Sequence, residues 1–177
     1  KLDVDGRGHY VIETGCAMLD HLLAQLSRHG LVDLQIAAKG DVELGWHHLV
    51  EDTAIALGRA LREAVGDGRG ITRMAHAYVP LDEALALAVI DFSGRGYAVI
   101  DANIGSSDLG GLTGDLLNHF LETLAREGAF NLNIRLVSGV NNHHKAEAVF
   151  KALARAMQPA LALDPRLGAR IPSTKGA

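Results

Sequence analysis

The sequence predicts an α+β fold in which two helix pairs pack on β-sheets. Two observations lead to this prediction. Segments with apolar residues at helical spacing alternate with short β-compatible segments. In addition, a block near the start of the chain recurs 96 to 98 residues later. A period of this length is too long for a solenoid and indicates two pseudo-symmetric halves.

The repeated unit is a helix, a strand, a loop and a second helix. Positions of its first helix and strand recur at an offset of 98 residues: His21, Leu23, Leu26, Arg28, Gly30, Leu34 and Ile36 match His119, Leu121, Leu124, Arg126, Gly128, Leu132 and Ile134. The start of its second helix recurs at an offset of 96, as His47-His48-x-x-Glu51 and His143-His144-x-x-Glu147. We therefore predict one domain over residues 1–177, formed of pseudo-repeats at about 1–95 and about 96–177.

The individual elements follow from periodicity and turn residues. Apolar residues from Met18 to Leu26 predict a helix, and Gly30 suits a left-handed cap at its end. Residues 31–37 predict a strand, and a second helix runs from His48 to Val65 before a Gly-Asp-Gly turn. Strands are predicted at residues 72–79, 84–92 and 96–104. The middle strand is almost continuously apolar, which predicts burial on both faces. Residues 105–114 predict a loop that leads into the second helix–strand–loop–helix unit.

The composition excludes several functional classes. A chain of 177 residues with 48% hydrophobic residues can bury one shared core. Its formal net charge of −4 gives no basic field, so we expect no nucleic-acid partner. No apolar run approaches the roughly 20 residues of a membrane span, so we expect no membrane partner. The single cysteine cannot form an internal disulfide, and we predict a reducing, cytoplasmic location.

Six of the nine histidines occupy patterned positions. In the first His-His motif, His47 and Glu51 share a helical face, whereas His48 is rotated by about 100°. Imidazole nitrogens with carboxylate oxygens suit divalent Mn, Fe, Co, Ni or Zn. The pattern predicts two metal ions, each bound by three histidines and one glutamate. The predicted ligands are His21, His47, His48, Glu51, His119, His143, His144 and Glu147.

A different interpretation applies to isolated histidines. One His-His pair at a helix start is more often solvated than metal-bound, but two copies with the same glutamate spacing favour metal binding. His9, His29 and His76 have no partner in the repeat. We interpret these three as surface or hydrogen-bonded side chains.

Further motifs lie outside the histidine-rich segments. They include Leu19-Asp20-His21-Leu22-Leu23, Pro80-Leu81-Asp82-Glu83-Ala84, Asp91-x-Ser93-Gly94-Arg95, Phe150-Lys151-Ala152 and Pro172-Ser173-x-Lys175-Gly176. Together with the His-His motifs, they resemble the imidazoleglycerol-phosphate dehydratase family of histidine biosynthesis. The resemblance runs from about Asp5 to the C-terminus. It implies duplicated half-domains, each a mixed β-sheet with a helix pair, with the helices between the sheets (ribosomal protein S5 domain 2-like).

The resemblance also implies an activity. The family is a carbon–oxygen lyase (hydro-lyase) that converts D-erythro-imidazole glycerol phosphate to imidazole acetol phosphate, through a dimanganese-bound imidazolate. It implies two Mn²⁺ per subunit, with ligands shared across a subunit boundary, in a homo-oligomer of 24 subunits built from trimers. One ion would be held by His21, His48, His144 and Glu147, and the other by His47, Glu51, His119 and His143.

Substrate contacts are carried over in the same way. The residues that match the family's phosphate contacts are Arg73, Arg95, Ser173, Thr174 and Lys175, and Gln25 and His29 could line the same pocket. Without the resemblance, Arg95 is a turn residue and the serine-to-lysine segment is a solvated tail. Glu51 and Glu147 are the candidate general bases. A metal-bound hydroxide, or a glutamate in the N-terminal strand of the family, is the alternative.

Two other functions remain open at this point. A non-catalytic metal-binding shell could use the same histidines, and variants at Arg95 or Lys175 would then leave its metal uptake unchanged. A dinuclear phosphoester hydrolase is the second alternative, and release of inorganic phosphate would support it. Two glutamates among six histidines are few carboxylates for such a hydrolase.

Overall fold

The computed structural model describes residues 1–40, 43, 45–106 and 108–174. Within these residues the chain forms four helices and seven strands. In chain order they are β1 (Leu2–Asp3), β2 (Tyr10–Glu13), α1 (Ala17–Gly30), β3 (Asp33–Ala37), α2 (His47–Val65), β4 (Met74–Leu81), β5 (Ala84–Asp91), β6 (Tyr97–Asp101), α3 (Gly114–Glu127), β7 (Asn131–Ser138) and α4 (Asn142–Leu161).

The strands form two mixed sheets with related topologies. The smaller sheet has the order β1-β3-β2, in which β1 is antiparallel and β2 parallel to β3. The larger sheet has the order β4-β5-β7-β6, in which β5 is antiparallel and β6 parallel to β7. The three strands of the smaller sheet therefore match β5, β7 and β6 in order and direction. This arrangement confirms the predicted α+β fold class.

The helices lie between the two sheets. Helix α4 packs on β4 and β5, and α3 packs on β6, whereas α1 contacts β2 and α2 contacts β1. The two helical layers meet where α1 contacts α4 and α2 contacts α3. Gly58 allows the second contact, because a Cβ there would lie 2.9 Å from the backbone nitrogen of Gly128. The α1–α4 and α2–α3 contacts bring the candidate site residues together.

Three details of the elements differ from the sequence predictions. Leu31, with φ 55°, is the left-handed residue after α1, and Gly30 is still helical. Strands β1 and β2 lie in a segment for which no strand is predicted. Strand β5 is buried on one face only, because the helices cover one face of the larger sheet, and Val89 on the other face is 39% exposed.

The structure also shows where the repeat changes length. Tyr10 pairs with Leu34 in one sheet and Ala98 pairs with Leu132 in the other, so β2 and β6 are offset by 88 residues. The extra ten residues of the second half lie between β6 and α3. Strands β1 to β3 form one sheet and β4 to β7 form the other. The change from one sheet to the other therefore falls between α2 and β4, before residue 95, where the repeat predicts the boundary.

Candidate functional site

Two clusters of candidate ligands form where a helix start meets the facing helix. The His-His pairs lie in the first turns of α2 and α4. Because α2 packs on α3 and α4 packs on α1, each pair meets a histidine from the other half of the chain. The α2–α3 cluster consists of His47, Glu51 and His119, and the α1–α4 cluster consists of His21, His143 and Glu147.

The geometry of the two clusters follows the repeat. In the α1–α4 cluster, Glu147 Oε2 lies 3.1 Å from His21 Nε2 and 3.3 Å from His143 Nε2. In the α2–α3 cluster, the two Glu51 oxygens lie 3.3 Å from His119 Nε2 and 3.9 Å from His47 Nε2. The two imidazoles of each cluster stack, with ring centroids 5.7 Å and 5.0 Å apart.

The donor sets fit a divalent metal ion. In each cluster, two ring nitrogens and one carboxylate oxygen lie within 4.8 Å of one another. His119 Nε2 is buried and has no hydrogen-bond partner among the described residues, although a Glu51 oxygen is nearby. A buried ring nitrogen without a hydrogen bond is costly unless another partner satisfies it. A metal ion at this position would be such a partner.

The ligand grouping differs from the one that the resemblance implies. His143 lies with Glu147 and His21, and not with His47, Glu51 and His119. The reason is that His143 and Glu147 are four residues apart and share a helical face. His48 and His144 belong to neither cluster among the described residues of one chain, because one residue along a helix is a rotation of about 100°.

His144 is instead hydrogen-bonded to Glu83, in the turn between β4 and β5. Its Nδ1 lies 2.8 Å from Glu83 Oε2, and the other Glu83 oxygen accepts the backbone N–H groups of Val140 and Asn141. The His144 hydrogen bond and those backbone donors lower the pKa of Glu83 to about 2. The same hydrogen bond raises the pKa of His144. The start of α4 is fixed further by Asn141, whose side chain accepts from the backbone N–H groups of His143 and His144.

We predict that Glu83→Gln lowers the pKa of His144 in the metal-free protein, because the carboxylate that favours the imidazolium is lost. The pH dependence of the pair has a defined sign. The stability that Glu83 contributes is lost as pH falls from 4.5 toward 2, and that of His144 is lost as pH rises above 6.5 through its raised pKa. NMR titration of the ring protons measures the shift, with His76 as the internal control. An unchanged pKa of His144 would contradict the assignment.

An arginine-lined cavity contains most of the predicted phosphate contacts. It has a volume of about 700 Å³, and Arg73, Arg95, Ser173 and Thr174 line it together with Arg62 from the last turn of α2. Lys175 lies outside the described residues. The cavity therefore gathers three guanidinium groups, which suit a phosphate dianion.

Of the three arginines that line the cavity, Arg73 is held by protein groups, whereas Arg62 and Arg95 are not ion-paired among the described residues. Arg73 donates to both Asp91 oxygens, at 2.6 Å and 3.2 Å, and to the Pro172 carbonyl at 2.6 Å, so it fixes the C-terminal segment to the sheet. Hydrogen bonding to Asp91 raises the pKa of Arg73. Within the described residues, the guanidinium groups of Arg62 and Arg95 form no ion pair. Of the described arginines that line the cavity, these two are available to an anionic ligand.

Within one chain, Gln25 and His29 lie apart from the arginine cavity. They are one helical turn apart on α1, on the face that carries His21, and His29 Nε2 lies 3.0 Å from Gln25 Oε1. Burial, and then the charges of Lys151 and Arg155 on α4, lower the pKa of His29. Both residues therefore border the α1–α4 cluster and do not line the arginine cavity.

The arginine cavity is far from both clusters of the same chain. It adjoins Val65 at the end of α2, about 21 Å along the helix axis from Glu51. The Arg73 N–H bonds to the carbonyl of Ala160 near the end of α4, about 20 Å along that helix from Glu147. The clusters and the cavity thus lie at opposite ends of the helical layer.

Two charged residues near the site had no role in the sequence predictions. Glu83 lies in a motif that carries the family resemblance, and its contact with His144 depends on tertiary structure. Lys151 forms an ion pair with Glu147 four residues before it, at 2.5 Å. Burial by itself raises the pKa of Glu147, but Lys151 and His21 outweigh it and lower this pKa to about 2. The four-residue spacing of a glutamate and a lysine is a signal that the sequence contains.

The fold and the site together define a class: a duplicated α+β enzyme with paired histidine–glutamate clusters and a separate anion cavity. The family model of imidazoleglycerol-phosphate dehydratase matches residues 14–157. The chain belongs to this family and is a hydro-lyase. Among the described helices, none has the length and apolar character that a membrane-spanning helix needs.

Individual relatives match almost the whole chain. The imidazoleglycerol-phosphate dehydratase of Dehalococcoides mccartyi is 53% identical over 176 residues, which cover 99% of this chain and 88% of the relative. That of Methanoculleus marisnigri is 49% identical over 177 residues, with 100% and 91% covered. The crystal structure of the Staphylococcus aureus enzyme has a TM-score of 0.85 at 33% identity, covering 92% of each chain. The structure from Pyrococcus furiosus has the same TM-score at 36% identity, covering 100% and 94%.

Proposed function

We propose that this enzyme dehydrates D-erythro-imidazole glycerol phosphate to imidazole acetol phosphate in histidine biosynthesis, with two Mn²⁺ per subunit. The names of its relatives support the reaction and a phosphorylated imidazole as the substrate. The observation that carries the metal requirement is the pair of pseudo-symmetric clusters, each with two imidazoles and one carboxylate. Three protein ligands leave coordination positions for a substrate nitrogen and for water.

The reaction removes a proton from a carbon and the hydroxyl group from its neighbour, which together leave as water. Two bound divalent ions would supply Lewis-acid stabilisation of negative charge on the imidazole ring. Gln25 and His29 lie beside the α1–α4 cluster and can orient the ring and glycerol chain. Glu147, with a pKa of about 2, is suited to stay anionic as a ligand and is a weak proton acceptor. Glu51 would also be a metal ligand, which makes it a weak proton acceptor too, so both glutamates are better suited to hold the ions than to remove the proton.

We propose further that each active site is shared between copies of the chain. The three-carbon chain between the imidazole and the phosphate of the substrate is far shorter than the roughly 20 Å between a cluster and the cavity of one chain. The cavity of one copy must therefore act with a cluster of another. Among the described residues, His48 and His144 join neither cluster of their own chain, and we propose that they complete sites across the boundary, His144 through the ring nitrogen that does not bind Glu83.

The outer face of the larger sheet supports a large assembly. Several large apolar side chains are exposed there: Met74, Tyr78, Val89, Tyr97 and Val99. Polar residues such as Asn133 and Arg135 lie between them, but five large apolar side chains exposed on one face favour an interface between copies of the chain. We propose the assembly of 24 subunits built from trimers, without a nucleic-acid or membrane partner, located in the cytoplasm.

Metal analysis combined with an assay of the ketone product tests the proposed function. We expect two ions per chain after manganese loading, loss of activity on chelation and recovery when Mn²⁺ is restored. His21→Ala and His119→Ala each remove a ligand of one cluster, and each should abolish dehydration and lower the metal content to one ion per chain. His9→Ala, an exposed histidine outside both clusters and outside the larger sheet, is the matched control. A parent protein that dehydrates the substrate with one ion per chain, or none, would contradict the proposal.

A further inference from the structure

The two clusters differ in one charged neighbour. Lys151 Nζ lies 2.5 Å from Glu147 Oε1, and the Lys151 side chain is only 16% exposed. The repeat offset of 96 residues places Ile55 at the equivalent position of the other half, four residues after Glu51. Among the described residues, Glu51 forms ion-pair contacts only with His47 and His119. The shared carboxylate therefore has an ammonium neighbour in the α1–α4 cluster alone.

The two carboxylates also present different oxygens to their clusters. Glu147 directs Oε2 toward both imidazoles, while Lys151 binds Oε1. Glu51 directs Oε1 toward His119 and Oε2 toward His47. Glu51 can thus offer both oxygens to a metal ion, whereas Glu147 can offer one without breaking its ion pair.

We propose that the α2–α3 cluster binds its divalent ion more tightly than the α1–α4 cluster, and that Lys151 is the positioning residue that sets this difference. The proposal rests on the proposed two-metal function. A partly buried ammonium next to a ligand repels a divalent ion and neutralises the carboxylate that attracts it. Protein that loses metal would then first lose the ion beside Gln25 and His29.

Single-cluster variants isolate each affinity. His119→Ala leaves the α1–α4 cluster intact, and His21→Ala leaves the α2–α3 cluster intact. Titration of the metal-free variants with Mn²⁺, followed by the EPR signal of the free ion, gives the two dissociation constants. We expect the constant of His119→Ala to be about tenfold or more above that of His21→Ala, as a nearby unit charge in a partly screened site requires.

A reciprocal exchange then tests Lys151 itself. Lys151→Ile in the His119→Ala background should lower the dissociation constant, and Ile55→Lys in the His21→Ala background should raise it. Lys151→Gln, which keeps a hydrogen-bond donor without the charge, should act like Lys151→Ile and guards against a packing defect.

The outcomes separate this inference from the function on which it rests. Equal dissociation constants for the two single-cluster variants, or no change on replacing Lys151, would overturn the inference while two ions still bind to the parent. A parent that binds no Mn²⁺ would overturn the two-metal function and the inference together.

Discussion

Replacing Arg95 by alanine should lower kcat/KM for the phosphorylated substrate by roughly 10- to 150-fold, mainly through KM. Arg95 lines the arginine cavity, and its guanidinium forms no ion pair within the described residues. Arg95 holds its own loop through the backbone, since its carbonyl accepts from Asn131 Nδ2 at 2.9 Å. The side chain is therefore available to a phosphate dianion. Because the phosphate is remote from the bond that breaks, this contact provides binding energy that positions the imidazole.

Steady-state kinetics on manganese-loaded protein measures this effect, and metal analysis should show unchanged content. Arg7→Ala is the matched control. Arg7 occupies the equivalent Gly-Arg-Gly loop of the first half, where its backbone N–H donates to Asp33 and its side chain lines no arginine cavity. Arg73 is a poor control, because its loss would also free the C-terminal segment. A kcat/KM for Arg95→Ala within a factor of about two of the parent would mean that Arg95 is only a turn residue.

The internal repeat made most of the fold predictable. The four helices and strands β3 to β7 all correspond to segments with a periodic or apolar pattern. Strands β1 and β2 contain only two and four residues and are mostly exposed, so they leave no alternation to detect. The apolar sequence of β5 predicts burial of both faces, although the helices cover only one face in a single chain. The exposed face of β5 carries the same residue types as a buried face, so the sequence pattern does not distinguish the two.

The sequence predicts which candidate ligands share a helical face, but not which helices bring them together. The four-residue spacings of His47 with Glu51 and of His143 with Glu147 placed each pair on one face, as the structure has them. Which of His21 and His119 joins which pair depends on the packing of α1 on α4 and of α2 on α3. A duplicated sequence has the same repeat offsets for either packing. The sequence also does not predict that Gln25 lies far from the arginine cavity of the same chain, because a motif gives residue types and not their positions in space.

Mixing two impaired variants should raise the dehydration rate at subsaturating substrate above that of either variant alone. Arg95→Ala loses a cavity arginine and keeps both clusters, whereas His21→Ala loses a cluster and keeps the cavity. Since the two features lie about 20 Å apart in one chain, a substrate must use them from different copies. In a mixed oligomer, some sites combine the intact cavity of one variant with the intact clusters of the other. Random assembly would restore up to about a quarter of the sites.

The measurement is the dehydration rate after the two variants are co-expressed, or dissociated without metal and reassembled together with Mn²⁺. Each variant reassembled alone is the control and should stay at its own low rate. His21→Ala mixed with Glu147→Gln provides the sharper comparison, because both substitutions damage the same cluster and no pairing of these chains yields an intact one. Recovery in the first mixture and none in the second is the result that a shared site requires. If neither mixture recovers while both variants enter one oligomer, cavity and cluster act within a single chain, and a large closing movement of the helices would have to bring them together.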